Sequence, residues 1–316
     1  MDSRWERVQP YIEIDKNIAE KMMGAIRPKR SIKNIGLIRN GLRNSNYCVE
    51  YDDKKFLLRI YGVEDNWWKK EEVIYHYIKE KVKAPELFWL DGNLDIIDKP
   101  YAIFEYIEGL NLDQYSKQAG YKKKVFSDIG HNLALLHSTS YKEGGFFDDN
   151  LEVAEKLPEL RLWYPMFLGE HAMRKLGEEL TEAVRKYIED NDKNIERIEK
   201  DITLVHNDFR PINIMVDKQD TPYFIDWEGS MAGHSLGDIG EFLRIEEQVS
   251  REEENIFIES YNEAANKRLP EDYKELAKLR DLVNLLQLLN SQRNLDIKDG
   301  DLIELIRRTC CKEAIE

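Results

Sequence analysis

The sequence predicts an α+β fold in which a small antiparallel sheet precedes a larger, mostly helical part, and three observations lead there. Between Ile35 and Tyr106 the chain is cut into short runs rich in Ile, Val, Tyr and Phe, separated by turns containing Asn, Gly and Asp. Beyond Gly109 the apolar residues instead recur at helical spacing. The length, 316 residues, allows one large domain or two lobes whose core needs no disulfide staples.

Taken in order, residues 1 to about 30 mix charge with an amphipathic pattern (Trp5, Val8, Tyr11, Ile12, Ile18, Met22), which reads as one or two helices. Ile35–Ile38, Tyr47–Tyr51 and Phe56–Tyr61 follow as strands of a meander, with turns at 39–45 and 52–55. In the first turn, from Asn40 and Gly41 to Ser45, exposed backbone N–H groups could cradle phosphates. The third strand places Arg59 inside an apolar run, and a cation there must reach solvent or meet an anion. A helix is expected over Trp67–Lys81; it carries Glu71 and Glu72, and the register of Ile74 and Ile78 favours Glu71 as the inward acid without excluding Glu72. Leu87–Leu90 and Tyr101–Tyr106 form a strand pair around Asp91-Gly92-Asn93.

The second part opens with a helix over Tyr121–Ser138, whose apolar face includes Phe126, Ile129 and Leu133, and continues through helices rich in Glu, Lys and Arg to about residue 200. The most informative stretch comes next. Ile202–Val205 enter a polar, proline-broken loop, Ile214–Val216 leave it, and Tyr223–Ile225 return after a turn, delivering His206, Asp208, Arg210, Asn213 and Asp226 to one end of a small hairpin. Two carboxylates, a carboxamide and a guanidinium suit Mg-nucleotide chemistry, because magnesium takes oxygen ligands and shares them with phosphates. Gly229–Gly237 reads as connection, Leu236–Leu243 as a helix with Asp238 near its start, and the chain from Ile256 onward as amphipathic helices.

Composition excludes other classes. Acids exceed bases, 61 against 47, for a net charge of −14, which opposes nonspecific binding to nucleic acid or anionic membranes. Cys48 is isolated and Cys310-Cys311 are adjacent, so there is neither a disulfide framework nor zinc spacing. The N-terminus lacks an apolar export core, and the run Leu282–Leu289 is interrupted by Asn284 and Gln287, so a cytoplasmic protein without a membrane span is expected.

The stretch His206-Asn207-Asp208-Phe209-Arg210-Pro211-Ile212-Asn213 resembles the H-x-D-x-x-x-x-N catalytic loop of the aminoglycoside phosphotransferase and choline kinase family, relatives of protein kinases. Ile225-Asp226-Trp227-Glu228 resembles the metal-binding motif of the same family. Further matches run from about Gly36 to Tyr273. The resemblance implies a two-lobed kinase-like fold, with residues 1–104 as the nucleotide lobe, 105–109 as the hinge and 110–316 as the helical lobe. It also implies ATP-dependent, magnesium-assisted phosphorylation of a small-molecule hydroxyl.

By the same resemblance, Asp208 is the catalytic carboxylate, and Asn213 and Asp226 hold magnesium. Arg59, fixed by the helix glutamate, positions the α- and β-phosphates. Gly41, Asn44 and Ser45 belong to a nucleotide loop in which Asn40 replaces the family's first glycine. Main-chain groups of Glu105 and Ile107 meet adenine. Arg210 stands two residues after Asp208, where protein kinases carry a cation for the γ-phosphate. His206 and His137 pack, Asp238 braces the catalytic loop, and Glu228 is either a further metal ligand or structural. The missing G-x-G-x-x-G loop, and a tryptophan-glutamate pair where D-F-G has its last two residues, argue against a protein kinase. Choline, ethanolamine and methylthioribose kinases remain alternatives, as does a kinase-fold binding protein without turnover. Residues 245–272 hold nine acids against three bases; in related antibiotic kinases, acids of this region bind substrate amines, which implies a cationic, hydroxylated acceptor.

Overall fold

The computed structural model describes residues 4–39, 41–62, 67–119 and 122–311. Residues 5–15 form no helix, contrary to their amphipathic pattern. Pro10 has no N–H to give a helix, and Ile12 is held by side chains of the sheet: its N–H donates to Ser45 Oγ (2.9 Å) and its carbonyl accepts from Tyr47 OH (2.8 Å). Helix α1 (Lys16–Met23) starts where Asp15 accepts the Ile18 N–H (2.8 Å).

Strands β1 (Asn34–Ile38), β2 (Ser45–Glu50), β3 (Lys55–Ile60), β4 (Leu87–Asp91) and β5 (Tyr101–Glu105) form one antiparallel sheet in the order β1-β2-β3-β5-β4, and α2 (Trp67–Ile78) crosses between β3 and β4. Alternation sets the position of the key cation. Phe56, Leu58 and Ile60 pack with Met22, Met23 and Ile32 on one face, so Arg59 emerges on the other, beneath α2 and 5.4 Å from the Phe104 ring centroid. The α2 helix is shorter than its pattern suggested, ending at Ile78.

The chain passes to a second sheet between Glu105 and β6 (Gly109–Asn111). Next come α3 (Leu112–Ala119), α4 (Lys123–His137), β7 (Gly145–Phe147), β8 (Val153–Lys156), α5 (Leu160–Phe167), α6 (Glu170–Asp190) and α7 (Asp192–Ile198). Tyr121, expected to open the fourth helix, lies outside the described residues. Strands β9 (Ile202–Val205), β10 (Ile214–Asp217), β11 (Pro222–Phe224) and β12 (Met231–His234) surround the loop from His206 to Asn213, and α8 (Ser235–Leu243), α9 (Arg251–Ala264), α10 (Tyr273–Leu289) and α11 (Asp296–Cys310) complete the helical part.

Two small antiparallel sheets cross this part, β11-β10-β6 and β8-β7-β12-β9. The strand entering the loop 206–213 and the hairpin leaving it therefore belong to different sheets. The connection expected over Gly229–Gly237 contains β12, because Met231 to His234 pair in register with Val205 to Ile202. Helices α4 and α9 approach closely at Gly130, where an added Cβ would stand 2.2 Å from the Phe257 carbonyl oxygen. Among the described residues no helix is long and apolar enough to cross a membrane.

Candidate active site

The loop from His206 to Asn213 is suspended from the first turns of α8. Asp238 Oδ2 accepts the N–H of His206 (2.7 Å) and Oδ1 that of Asn207 (2.8 Å), while Glu241 Oε2 accepts the N–H of Phe209 (2.7 Å). The loop amides thus find partners without a ladder, as buried amides must. His137 lies between Asp238 (Nε2 to Oδ2, 3.1 Å) and the Tyr261 hydroxyl (2.9 Å), and the buried His206 ring places Nε2 2.9 Å from the Ile225 carbonyl oxygen. Both histidines pack and brace. Glu241 escaped the sequence reading, although its position three residues after Asp238 puts it on the same helix face.

Asp208 projects from this loop with its side chain 34% exposed, enough for a substrate to reach it. Asn213 donates its amide to the Asp208 carboxylate (2.7 Å) and main-chain carbonyl (2.9 Å). Arg210 donates to both carboxylate oxygens, at 2.6 and 2.9 Å; expected to face a transferring phosphate, it here grips the Asp208 carboxylate. Burial would raise the Asp208 pKa, but the charge and hydrogen bonds of Arg210 outweigh it and hold the group below its ordinary value.

Pairing of Ile214 with Phe224, continued by the Ile225 N–H donating to the Asn213 carbonyl (3.0 Å), sets Asn213 beside Asp226. Asp226 takes a left-handed backbone (φ 71°, ψ 60°), a conformation held against steric preference. Its carboxylate meets Arg59 at 3.2 Å, and Arg59 in turn bonds Glu71 (2.9 Å) and Asn46 Oδ1 (3.3 Å). Glu71, not Glu72, is the partner: Glu71 is fully buried and also accepts from Tyr61 OH, whereas Glu72 is exposed. Burial pushes the Glu71 carboxyl up, opposed by Arg59. The donors beside Asp226 fit magnesium: with its nitrogen committed to Asp208, the Asn213 amide turns its carbonyl oxygen away, and carboxamide and carboxylate oxygens are hard ligands that leave positions for phosphates.

In the nucleotide loop Gly41 has φ 93°, which its lack of a Cβ permits; Asn40 lies outside the described residues. Asn44 accepts the Gly62 N–H (3.3 Å) and donates to Glu228 (3.1 Å), which Arg43 also approaches (3.4 Å). Glu228 thereby ties the loop to the Asp226 segment, and burial, with the neighbouring Asp226 charge, pushes its carboxyl up to about 7. The Ser45 side chain is fully buried, and its hydroxyl oxygen accepts the Ile12 N–H (2.9 Å). Between the two sheets the Glu105 N–H is donated to the Glu86 carbonyl (2.8 Å).

Five of the nine acids of 245–272 have partners of their own. Glu246 pairs with Lys278, Glu247 with Arg308 and Asp272 with Arg197. Glu253 closes the capping box of α9, and Glu254 accepts from Tyr273 and Lys274. None of these partners belongs to the loop 206–213.

Residues 34–279 match the phosphotransferase enzyme family known as APH. The chain belongs to that family. Its fold is shared with solved phosphotransferases at low identity. An aminoglycoside 2'-phosphotransferase mutant in complex with GDP aligns at a TM-score of 0.71 and 13% identity, covering 93% of this chain and 97% of that one. The choline kinase LicA from Streptococcus pneumoniae aligns at 0.68 and 17%, covering 94% and 99%, and a Plasmodium vivax ethanolamine kinase at 0.60 and 19%, covering 88% and 82%. No curated protein matches the chain. This phosphotransferase has the two-lobed, protein kinase-like fold, and it is a small-molecule kinase.

Proposed function

We propose that this phosphotransferase moves the γ-phosphoryl group of ATP to a hydroxyl of a small, cationic acceptor. The reading is carried by one arrangement: Asn213 links the catalytic carboxylate Asp208 to the strand end that presents Asp226, and Asp226 meets the Arg59–Glu71 pair. Base, metal-binding oxygens and phosphate-binding cation thus form one connected set. In this reading residues 1–104 bind nucleotide, 105–109 hold adenine through the Glu105 carbonyl and the Ile107 N–H, and 110–316 present the acceptor.

The acceptor hydroxyl oxygen attacks the γ-phosphorus in line as the bond to the ADP oxygen breaks, and its proton passes to Asp208. Asp208, held ionised by Arg210, is a weak but ready acceptor, suited to a transfer in which the proton leaves late. Arg59 positions the α- and β-phosphates, with Glu71 fixing its rotamer. Gly41 and Asn44 shape the loop above them, and Ser45 anchors it through Ile12. Magnesium, when held by Asn213 and Asp226, supplies charge neutralisation on the phosphates. Dependence on ATP and magnesium fits the cytoplasm.

For the acceptor, an aminoglycoside-like amine is the first class and a choline- or ethanolamine-type metabolite the second, on the strength of the relatives' substrates and the net charge of −14. The test is a screen of aminoglycosides, choline, ethanolamine, amino alcohols and methylthioribose with labelled ATP. Label transferred to a hydroxylated amine is the expected outcome, and resistance conferred on an expressing strain would point to an antibiotic. Transfer only to neutral or anionic acceptors would remove the cationic reading and keep the kinase.

A further inference from the structure

The extended segment ahead of α1 reaches the nucleotide loop from the outside, and its central residue is Arg7. The guanidinium donates to the main-chain carbonyls of Gly41 (2.9 Å), Asn44 (2.9 Å) and Arg43 (3.2 Å), and to those of Gln9 (2.6 Å) and Pro10 (3.4 Å) in its own segment. It lies 4.0 Å from the Tyr11 ring centroid, and none of these partners is a carboxylate. The segment is fastened at its other end to α11: Trp5 Nε1 donates to Asp301 (3.0 Å), and Glu6 accepts the N–H groups of Ile297 (2.7 Å) and Lys298 (3.1 Å).

We infer that Arg7 is a positioning residue for nucleotide binding, resting on the phosphotransfer reading above. In a trans peptide the C=O and N–H point in opposite directions, and no cis bond occurs among the described residues. The carbonyls drawn to Arg7 therefore turn the loop amides that follow Gly41 and Arg43, those of Leu42 and Asn44, toward the opposite face, while the amide after Asn44 begins strand β2. An arginine suits this task because its five N–H donors form a rigid fork. No carboxylate pairs with it among the described residues, so its charge also makes the loop more attractive to phosphate. Trp5 and Glu6 hold the fork in place from the helical lobe, so the loop is shaped by a segment anchored on the other side of the cleft.

Titration calorimetry of the full chain with Mg-ATP and with ADP tests this, using wild type, Arg7→Ala, Arg7→Lys and the control Arg27→Ala, which breaks the Arg27–Asp53 pair (3.0 Å) of the same lobe. Hydrogen bonds from a charged group of this kind are worth about tenfold in affinity, so Arg7→Ala should bind both nucleotides about tenfold more weakly. Arg7→Lys should fall between, since it keeps the charge and loses the fork. The Arg27→Ala protein should bind like wild type, and kcat at saturating ATP should stay within about twofold in the Arg7 variants, because the damage lies in KM. Wild-type affinity in Arg7→Ala, or an equal loss in Arg27→Ala, overturns the inference. If Arg7→Ala does not fold, Arg7→Lys against Arg27→Ala decides on the same criterion. A wild-type chain that binds no Mg-ATP fails the phosphotransfer reading itself, and this inference with it.

Discussion

Arg210 grips Asp208 with two parallel hydrogen bonds, Nε to Oδ1 at 2.6 Å and Nη2 to Oδ2 at 2.9 Å. Bidentate pairing of this kind is among the stronger polar contacts in proteins. Its consequence is chemical: the carboxylate proposed to take the substrate proton stays ionised at acidic pH despite partial burial.

Replacing Arg210 with Ala should therefore act through Asp208. Arg210 keeps the carboxyl pKa low, so its loss lets burial raise that pKa, and the ionised fraction at a given acidic pH falls. The acidic limb of the kcat/KM profile should move to higher pH, with ADP affinity little changed. Asp208→Asn should instead lower turnover by about 10²–10⁴-fold at every pH while Mg-ATP still binds. Profiles over pH 5 to 9 for both variants check this; an unmoved limb in Arg210→Ala would show that the grip has no effect on the base.

The Arg59–Glu71 pair is buried, so its members differ in what their loss costs. Glu71→Ala leaves a buried guanidinium held only by Asp226 and Asn46, and breaking such a pair costs about 3–5 kcal/mol, with the remaining partners placing the effect at the lower end. Arg59→Ala should weaken ATP and ADP alike, since the α- and β-phosphates occur in both. Thermal unfolding separates the first effect, and calorimetry with the two nucleotides the second. ATP weakened with ADP unaffected would move Arg59 to the γ-phosphate.

Much of this site is legible in the sequence because its parts are local. Asp208 and Asn213 share one loop, Asp226 ends the next strand, and Arg59 announces itself as a cation inside an apolar alternation. Strand period even fixes the face on which Arg59 emerges. Partners distant in the chain leave no such mark. The acids Glu246, Glu247 and Asp272 look like a free cluster until they pair with Lys278, Arg308 and Arg197, which lie 32, 61 and 75 residues away. Arg7 is invisible for another reason: its partners are main-chain carbonyls, which every residue has. Of the N-terminal pattern, α1 bears out the part with Ile18 and Met22, whereas over residues 5–15 the burial of Trp5 against α11 imitates an amphipathic face; β12 leaves little apolar signal because Ala232 and Gly233 are small.

Asp238 accepts two loop amides at once. Asp238→Asn keeps the size but offers one acceptor oxygen, setting an NH₂ against the N–H of either His206 or Asn207. An unsatisfied buried donor costs about 1–3 kcal/mol. The expected result is a lower unfolding midpoint and a reduced kcat with little change in nucleotide affinity; an unaltered kcat would show that the loop keeps its shape without the double bond.

Glu241 gives the protein a stability that depends on pH. Arg244 spends its fork on Asp281, at 2.8 and 2.6 Å, and approaches Glu241 only at 3.4 Å. Burial, first, and the charges of Asp208, Asp281 and Asp238 then push the Glu241 carboxyl up to about 8, against the lowering effect of Arg244. The unfolded chain releases this proton near the ordinary value of 4.5. A carboxyl whose folded pKa is raised contributes stability in full below the unfolded value and loses it as pH climbs to the folded one. Between about pH 4.5 and 8 the unfolded state therefore binds fewer protons at this site, and stability falls with a slope of up to about 1.4 kcal/mol per pH unit. Glu228, pushed up to about 7, adds a slope of the same sign over a narrower range. In Glu241→Gln the group cannot titrate, so the difference in unfolding free energy, variant minus wild type, should grow as pH rises from 5.5 through 7 to 8.5. Urea denaturation at those three values measures it, and a difference constant with pH would mean that Glu241 is ionised in the folded protein throughout, its charge carried by Arg244, the Phe209 amide and the Asn284 side-chain amide.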